Sequence, residues 1–124
     1  MSKFSDDLSG RFMKLIADIV LLEDQMIRKF STQHIFGQLF RSGSSAGANY
    51  EEARAGASTA DFIYKMHIVL KELRETIYWL TLLSETKLIM KESEIDQLLA
   101  ESKELANINA KCIFTSKSRL NNRI

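Results

Sequence analysis

Apolar side chains in the first quarter of the chain recur at Phe12, Leu15, Ile19, Leu22, Met26 and Phe30. Spacings of three and four residues draw one seam along a helix. A second row, Met13, Ile16, Val20 and Ile27, runs beside the first, so this face is wider than a single two-helix seam uses. Together they predict a first helix over about residues 5–30. Ser31 and Thr32 are suitable N-caps for a second helix over about 32–57, carrying Ile35, Phe36, Leu39, Phe40, Ala46, Tyr50 and Ala53. Its middle, Arg41 to Asn49, is poor in bulky side chains and holds Gly43 and Gly47. Each glycine costs about 1 kcal/mol relative to alanine in a helix, so a break here is one reading. The other is a continuous helix whose small residues let a neighbouring backbone approach closely.

Ser58 followed by Asp61 resembles a capping box with Asp in place of Glu, opening a third helix over about 59–88. Phe62, Met66, Val69, Leu73, Thr76, Leu80 and Leu83 alternate spacings of four and three, and Ile63, Leu70 and Ile77 widen the stripe. Ser93 with Asp96 repeats the signal for a fourth helix over about 94–113, holding Ile95, Leu98, Leu99, Leu105, Ala106, Ile108 and Ile113. Four long helices with short connections predict an all-α fold, an antiparallel up-down-up-down four-helix bundle in one domain over residues 1–124. Helices one and three are the most apolar and are expected to be the most buried. Their wide faces favour a homo-oligomer.

Composition narrows the class. Among 124 residues, 17 Lys and Arg stand against 16 Asp and Glu, a formal charge of +1, which lacks the excess of a dedicated nucleic-acid binder. The absence of proline and the five glycines argue against a turn-rich β fold. The one cysteine, Cys112, excludes an internal disulfide and a multi-cysteine zinc site. Charges interrupt every apolar stretch before the ~20 residues of a membrane span, and no cleavable signal pattern is present. A cytoplasmic protein with no membrane partner is expected. The last fourteen residues carry Lys111, Lys117, Arg119 and Arg123 without an acid. They read as a frayed, solvated tail, or alternatively as a mobile arm contacting phosphate.

Catalytic motifs fail on inspection. A ferritin-like di-iron centre needs Glu-x-x-His pairs, but the residues three before His34 and His67 are Ser31 and Tyr64. No metal or other cofactor is expected. His67, between Met66 and Ile68, reads as a hydrogen-bonded structural histidine. Gly43 to Gly47 fits Gly-x-Ser-x-Gly without the preceding strand that a nucleophile elbow requires, and Ser84 with Lys87 fits Ser-x-x-Lys without its companion motifs. Cys112 reads as a packing residue. The chain is not expected to be an enzyme.

A polar stripe is more informative. Arg41, Ser45, Asn49 and Glu52 share one face of helix two, and Lys71, Glu72 and Glu75 on helix three offer complementary groups near Tyr78 and Trp79. Arg41 is expected to grip a carboxylate with both prongs of its fork, and Asn49 to bridge a close helix crossing. Such a network fixes register or a subunit interface; lining a ligand cleft with Arg41, Asn49 and Glu72 is the alternative.

The run Arg41-Ser42…Ser45…Asn49…Glu52, followed by Asp61-Phe62-Ile63…Leu70-Lys71-Glu72-Leu73-Arg74-Glu75-Thr76…Tyr78-Trp79-Leu80, resembles the 23S rRNA intervening-sequence family, the so-called S23 ribosomal proteins. The likeness covers nearly the whole chain. One departure is Asn49-Tyr50-Glu51-Glu52-Ala53, where many relatives carry glycine after the second acid position. The resemblance implies a ring-like homopentamer of four-helix bundles with no catalytic residues. A related branch, the accessory proteins of diversity-generating retroelements, implies nucleic acid or a nucleic-acid-processing protein as possible partners. Those relatives are markedly basic, unlike this chain, although five basic tails at one end of a ring would concentrate a positive field. The resemblance therefore implies a non-enzymatic scaffold or accessory protein, with an RNA-binding accessory factor as the alternative.

Overall fold

The computed structural model describes residues 2–122. Four helices follow one another: α1 (Lys3–Leu22), α2 (Phe30–Arg54), α3 (Thr59–Thr86) and α4 (Glu92–Asn122), with a 3₁₀ turn at Glu23–Gln25 after α1. Among the described residues there is no strand beyond one isolated bridge.

Helix α1 begins where the Ser2 hydroxyl accepts the Ser5 amide at 3.1 Å, and Leu8, Phe12, Leu15, Ile19 and Leu22 form its single buried row. It ends at Leu22, eight residues before the expected end at Phe30. Acidic Glu23 and Asp24 follow, and backbone pairing then replaces helical bonding. The Ile27 amide donates to the Leu88 carbonyl and the Met90 amide to the Gln25 carbonyl, both at 2.9 Å, around an antiparallel Met26–Ile89 bridge. Two connections stitched together satisfy each other's backbone groups and bury Met26, Leu88 and Ile89. Phe30, expected in the seam of α1, instead stands 87% exposed at the start of α2.

Caps differ from expectation at two of the other starts. Helix α2 opens at Phe30 after Lys29 with no side-chain cap, so Ser31 and Thr32 lie inside its first turn. In α4, Ser93 is likewise internal, and Glu92 and Glu94 supply first-turn negative charge that the helix dipole favours. Only α3 starts as read: the Ser58 hydroxyl accepts the Asp61 amide at 3.1 Å. Helix α4 does not fray at 113 but continues to Asn122. Neither glycine nor proline occurs beyond Gly56 to stop it.

Helix α3 is the centre of the core. It shares its longest seam with α2 and the next with α4, whereas α1 lies mainly on α2 and touches α4 thinly. Arg41 meets Glu72 and Glu75, Ser42 meets Thr76, and Glu52 meets Lys65, so numbering rises along α2 as it falls along α3. The expectation of a deeply buried α1 is corrected. Only one row faces inward, and Met13, Val20 and Leu21 remain exposed.

The glycines of α2 do not break it. Gly43 and Gly47 sit under α1, where a Cβ on Gly43 would come within 2.9 Å of Ile19 Cδ1 and one on Gly47 within 3.6 Å of Phe12 Cβ. Gly47 thus has room for a methyl at ordinary contact distance, and Gly37 meets nothing within 4 Å. Gly37→Ala and Gly47→Ala should each stabilise the chain by up to about 1 kcal/mol, read as a rise in urea midpoint at constant slope. A lower midpoint for Gly47→Ala would mean that α1 approaches more closely than this.

Candidate functional site

The polar stripe of α2 lies on the flank beside α3. Arg41 spans two carboxylates one turn apart: Nη1 lies 3.1 Å from Glu72 Oε2, and Nη2 lies 2.6 Å from Glu75 Oε1. The expected two-pronged grip therefore falls on two acids rather than one. The hydrogen bond with Glu75 is the leading cause that raises the Arg41 pKa above its ordinary value. Glu72 is 5% exposed, although Arg41 is half open to water. Beneath this pair the Ser42 and Thr76 hydroxyls meet at 2.9 Å, and the Thr76 hydroxyl also donates to the Glu72 carbonyl, so the buried oxygens are paired.

The rest of the stripe behaves otherwise. Asn49 Nδ2 donates back along its own helix to the Ser45 carbonyl at 2.9 Å and accepts nothing from α3 among the described hydrogen bonds; Ser45 Oγ lies 3.1 Å from the same nitrogen. The expected bridge across a close crossing is corrected, because Gly43 and Gly47 open the other flank, toward α1. Glu52 pairs with Lys65 at 2.8 Å, while Lys71 is exposed. Trp79, half-buried, packs edge-on to Tyr78 at 5.0 Å and to His34 at 6.1 Å. His67 is exposed and its side chain makes no hydrogen bond among the described residues, which corrects its reading as a hydrogen-bonded structural histidine. Ser45 lies within an unbroken helix, so no nucleophile elbow forms there.

Two ion-pair clusters escaped the sequence. Arg11 Nη2 reaches Glu101 at 2.6 Å and Glu104 at 3.3 Å, tying α1 to α4, and the hydrogen bond with Glu101 leads the causes that raise its pKa. Arg54 binds Asp6 and lies near Glu51, tying α2 to α1 beside the Phe12–Tyr50 stack. Arg11 lies 90 and 93 residues from its partners and Arg54 lies 48 from Asp6, so no local spacing announces these contacts.

Of the C-terminal cations, Lys111, Lys117 and Arg119 are exposed along α4; Arg123 lies outside the described residues. The segment to Asn122 is helix, which corrects both the frayed-tail and mobile-arm readings. Lys111 and Arg119 line a groove of about 1070 Å³ at the end where α1 and α3 begin. Arg41, Asn49 and Glu72 are not among its lining residues. Among the described residues, no group of three His, Cys, Asp or Glu is placed to hold a metal ion, and no helix is long and apolar enough to cross a membrane.

Tyr50 and Cys112 also line this groove, and burial holds both side chains above their ordinary pKa values; the Ser5 hydrogen bond opposes the shift at Tyr50. Each is an acid kept protonated longer in the folded chain. Their contribution to stability is present below the ordinary values and is lost as pH rises through the raised ones. Melting temperature should fall from about pH 9 upward, and Tyr50→Phe with Cys112→Ala should flatten that fall. Parallel wild-type and variant profiles would exclude these two groups as its source.

No curated protein matches the sequence. A crystal structure at 1.70 Å of a protein of unknown function from the S23 ribosomal protein family of Bacteroides thetaiotaomicron VPI-5482 is similar in sequence and shape. It is 32% identical, with 88% of this chain and 96% of that chain covered at a TM-score of 0.76. Residues 8–111 match the family of the 23S rRNA-intervening sequence protein. The match takes in all of α2 and α3, including the Arg41–Glu72–Glu75 cluster, and the chain belongs to the 23S rRNA-intervening sequence protein family.

Proposed function

We propose that the protein is a non-enzymatic scaffold or accessory protein, an antiparallel up-down-up-down bundle that works as a homo-oligomer. One observation carries this reading: an apolar strip left open along the α1–α2 seam. Phe36, Phe40, Gly43 and Gly47 are spaced four, three and four residues apart and so share one flank of α2. The two glycines face α1, and Ile16 Cδ1 lies 3.3 Å from where a Cβ of Gly43 would stand. Met13, Val20 and Phe40 on this seam are 68%, 45% and 45% exposed. A second exposed patch lies on α3, where Tyr64 and Tyr78 stand fourteen residues apart on its outer face.

Two unlike apolar patches suit a head-to-tail interface, which forms a ring when its rotation closes, better than the single self-matching patch of a two-fold dimer. Five subunits is the number that the family resemblance implies. Light scattering on a size-exclusion peak tests the reading. Five chains of 14.2 kDa give about 71 kDa, and a 14.2 kDa peak would overturn it. The absorbance ratio at 260 and 280 nm in the same run reports the alternative: an excess removed by nuclease and high salt would make the protein a nucleic-acid-binding accessory factor.

A further inference from the structure

We propose that the groove at the end of the bundle where α1 and α3 begin binds a small amphiphilic anion: an apolar chain or ring bearing one carboxylate or phosphate head. The floor is apolar and already formed, with Tyr50, Ala53 and Met66 buried at its base and Phe62, Ile108 and Cys112 partly buried in its walls. Its volume of about 1070 Å³ is at the upper end for a small-molecule site.

The rim carries charge of one sign. Arg54, Lys111 and Arg119 line the groove, and no Asp or Glu does. Arg54 is matched by Asp6 and Glu51. Lys111 and Arg119, eight residues apart on one face of α4, make no ion pair among the described residues. Ser2, Ser58 and Thr59 at the starts of α1 and α3 also line it and add hydroxyl groups to the rim, while the C-terminal end of α2 at Ala53 and Arg54 offsets the helix-dipole charge there. A neutral apolar ligand would leave the two cations without a counter-charge, and a metal ion would meet repulsion. A nucleic-acid backbone would use the rim and leave the apolar floor empty. An amphiphilic anion uses both.

Cys112, the one cysteine of the chain, is a built-in reporter because it stands in the groove wall. Dodecanoate and dodecyl phosphate, titrated calorimetrically, should bind saturably at one per chain and slow alkylation of Cys112 by iodoacetamide several-fold. The tighter of the two identifies the head group. Dodecanol should bind at least tenfold more weakly. Charge reversal, K111E with R119E, should weaken dodecanoate at least tenfold while leaving helical circular dichroism unchanged. Should the double variant lose helicity, R119Q alone reads the same term. Three results overturn the proposal: no saturable binding below 1 mM, dodecanol equal to dodecanoate, or inorganic phosphate protecting Cys112 as well as dodecyl phosphate does. An oligomer that binds nothing here would sink the groove and leave the scaffold reading standing.

Discussion

Replacing Arg41 with alanine should destabilise the folded chain by about 2–3 kcal/mol. The loss comes less from the removed attraction than from what remains behind. Glu72 is buried at 5% exposure against α2, and without Nη1 at 3.1 Å its carboxylate keeps no cation. Glu75 then stands one turn away on the same helix as a second negative charge, where like charges repel. Arg41 is half exposed, so water enters the gap and holds the cost below that of a fully buried pair. The double variant Arg41→Ala with Glu72→Gln separates these contributions. A neutral amide has no charge to strand, so the second substitution should recover about 1 kcal/mol or more of the loss. Urea unfolding with a common slope gives both numbers. A loss below about 0.5 kcal/mol for the single variant would make the cluster an ordinary surface pair, and an unimproved double variant would place the cost in lost packing of the arginine stem.

The same cluster shows what a sequence can disclose. Arg41, Glu72 and Glu75 were legible because an i, i+4 polar stripe on one helix stood opposite an i, i+3 acid pair on another, and two adjacent helices must bring such faces together. Ser58 and Asp61 were legible because a cap is local. Asn49 was misread although its face was right: an asparagine amide can reach a carbonyl one turn back without meeting any other helix, and it does so at 2.9 Å from Ser45. The end of α1 at Leu22 was hidden because its cause is distant. The periodic row runs on through Met26, yet residues 25–27 exchange hydrogen bonds with residues 88–90, which no window of sequence contains. Arg11 and Arg54 were invisible for the same reason. The length of α4 is written in the absence of breakers. The basic charge of its last turns suggested a tail, but no breaker interrupts it, and the apolar Cys112–Ile113 pair keeps the helix packed late. The surface that carries the oligomer reading was half legible: Met13, Ile16 and Val20 stood out as a second row, while their neighbours Phe36 and Phe40 could be joined to them only once the glycines of α2 were seen lying under α1.

That surface makes the largest expected change. Val20→Glu combined with Phe40→Glu should convert the proposed assembly of about 71 kDa into a 14.2 kDa chain that remains helical. Both side chains are 45% exposed within one chain, so a carboxylate at either position reaches water in the free subunit and costs the fold little. Covered by a neighbour, the same two carboxylates lose that water with no cation supplied in return, and an uncompensated buried charge costs several kcal/mol. In a closed ring each subunit makes the contact twice, once with each patch, so the penalty recurs at every interface and no arrangement of variant subunits avoids it. Light scattering should show the mass collapse, and far-ultraviolet circular dichroism should be unchanged. Tyr64→Ala with Tyr78→Ala on the outer face of α3 should weaken the same assembly from the other side, since truncating an exposed aromatic that a partner buries removes apolar area without adding charge. If the glutamate pair leaves the mass unchanged, the α1–α2 strip is solvent-facing in the assembly and the interface lies elsewhere. If only the tyrosine pair reduces it, α3 is one side of the interface and the surface it meets lies outside the α1–α2 strip.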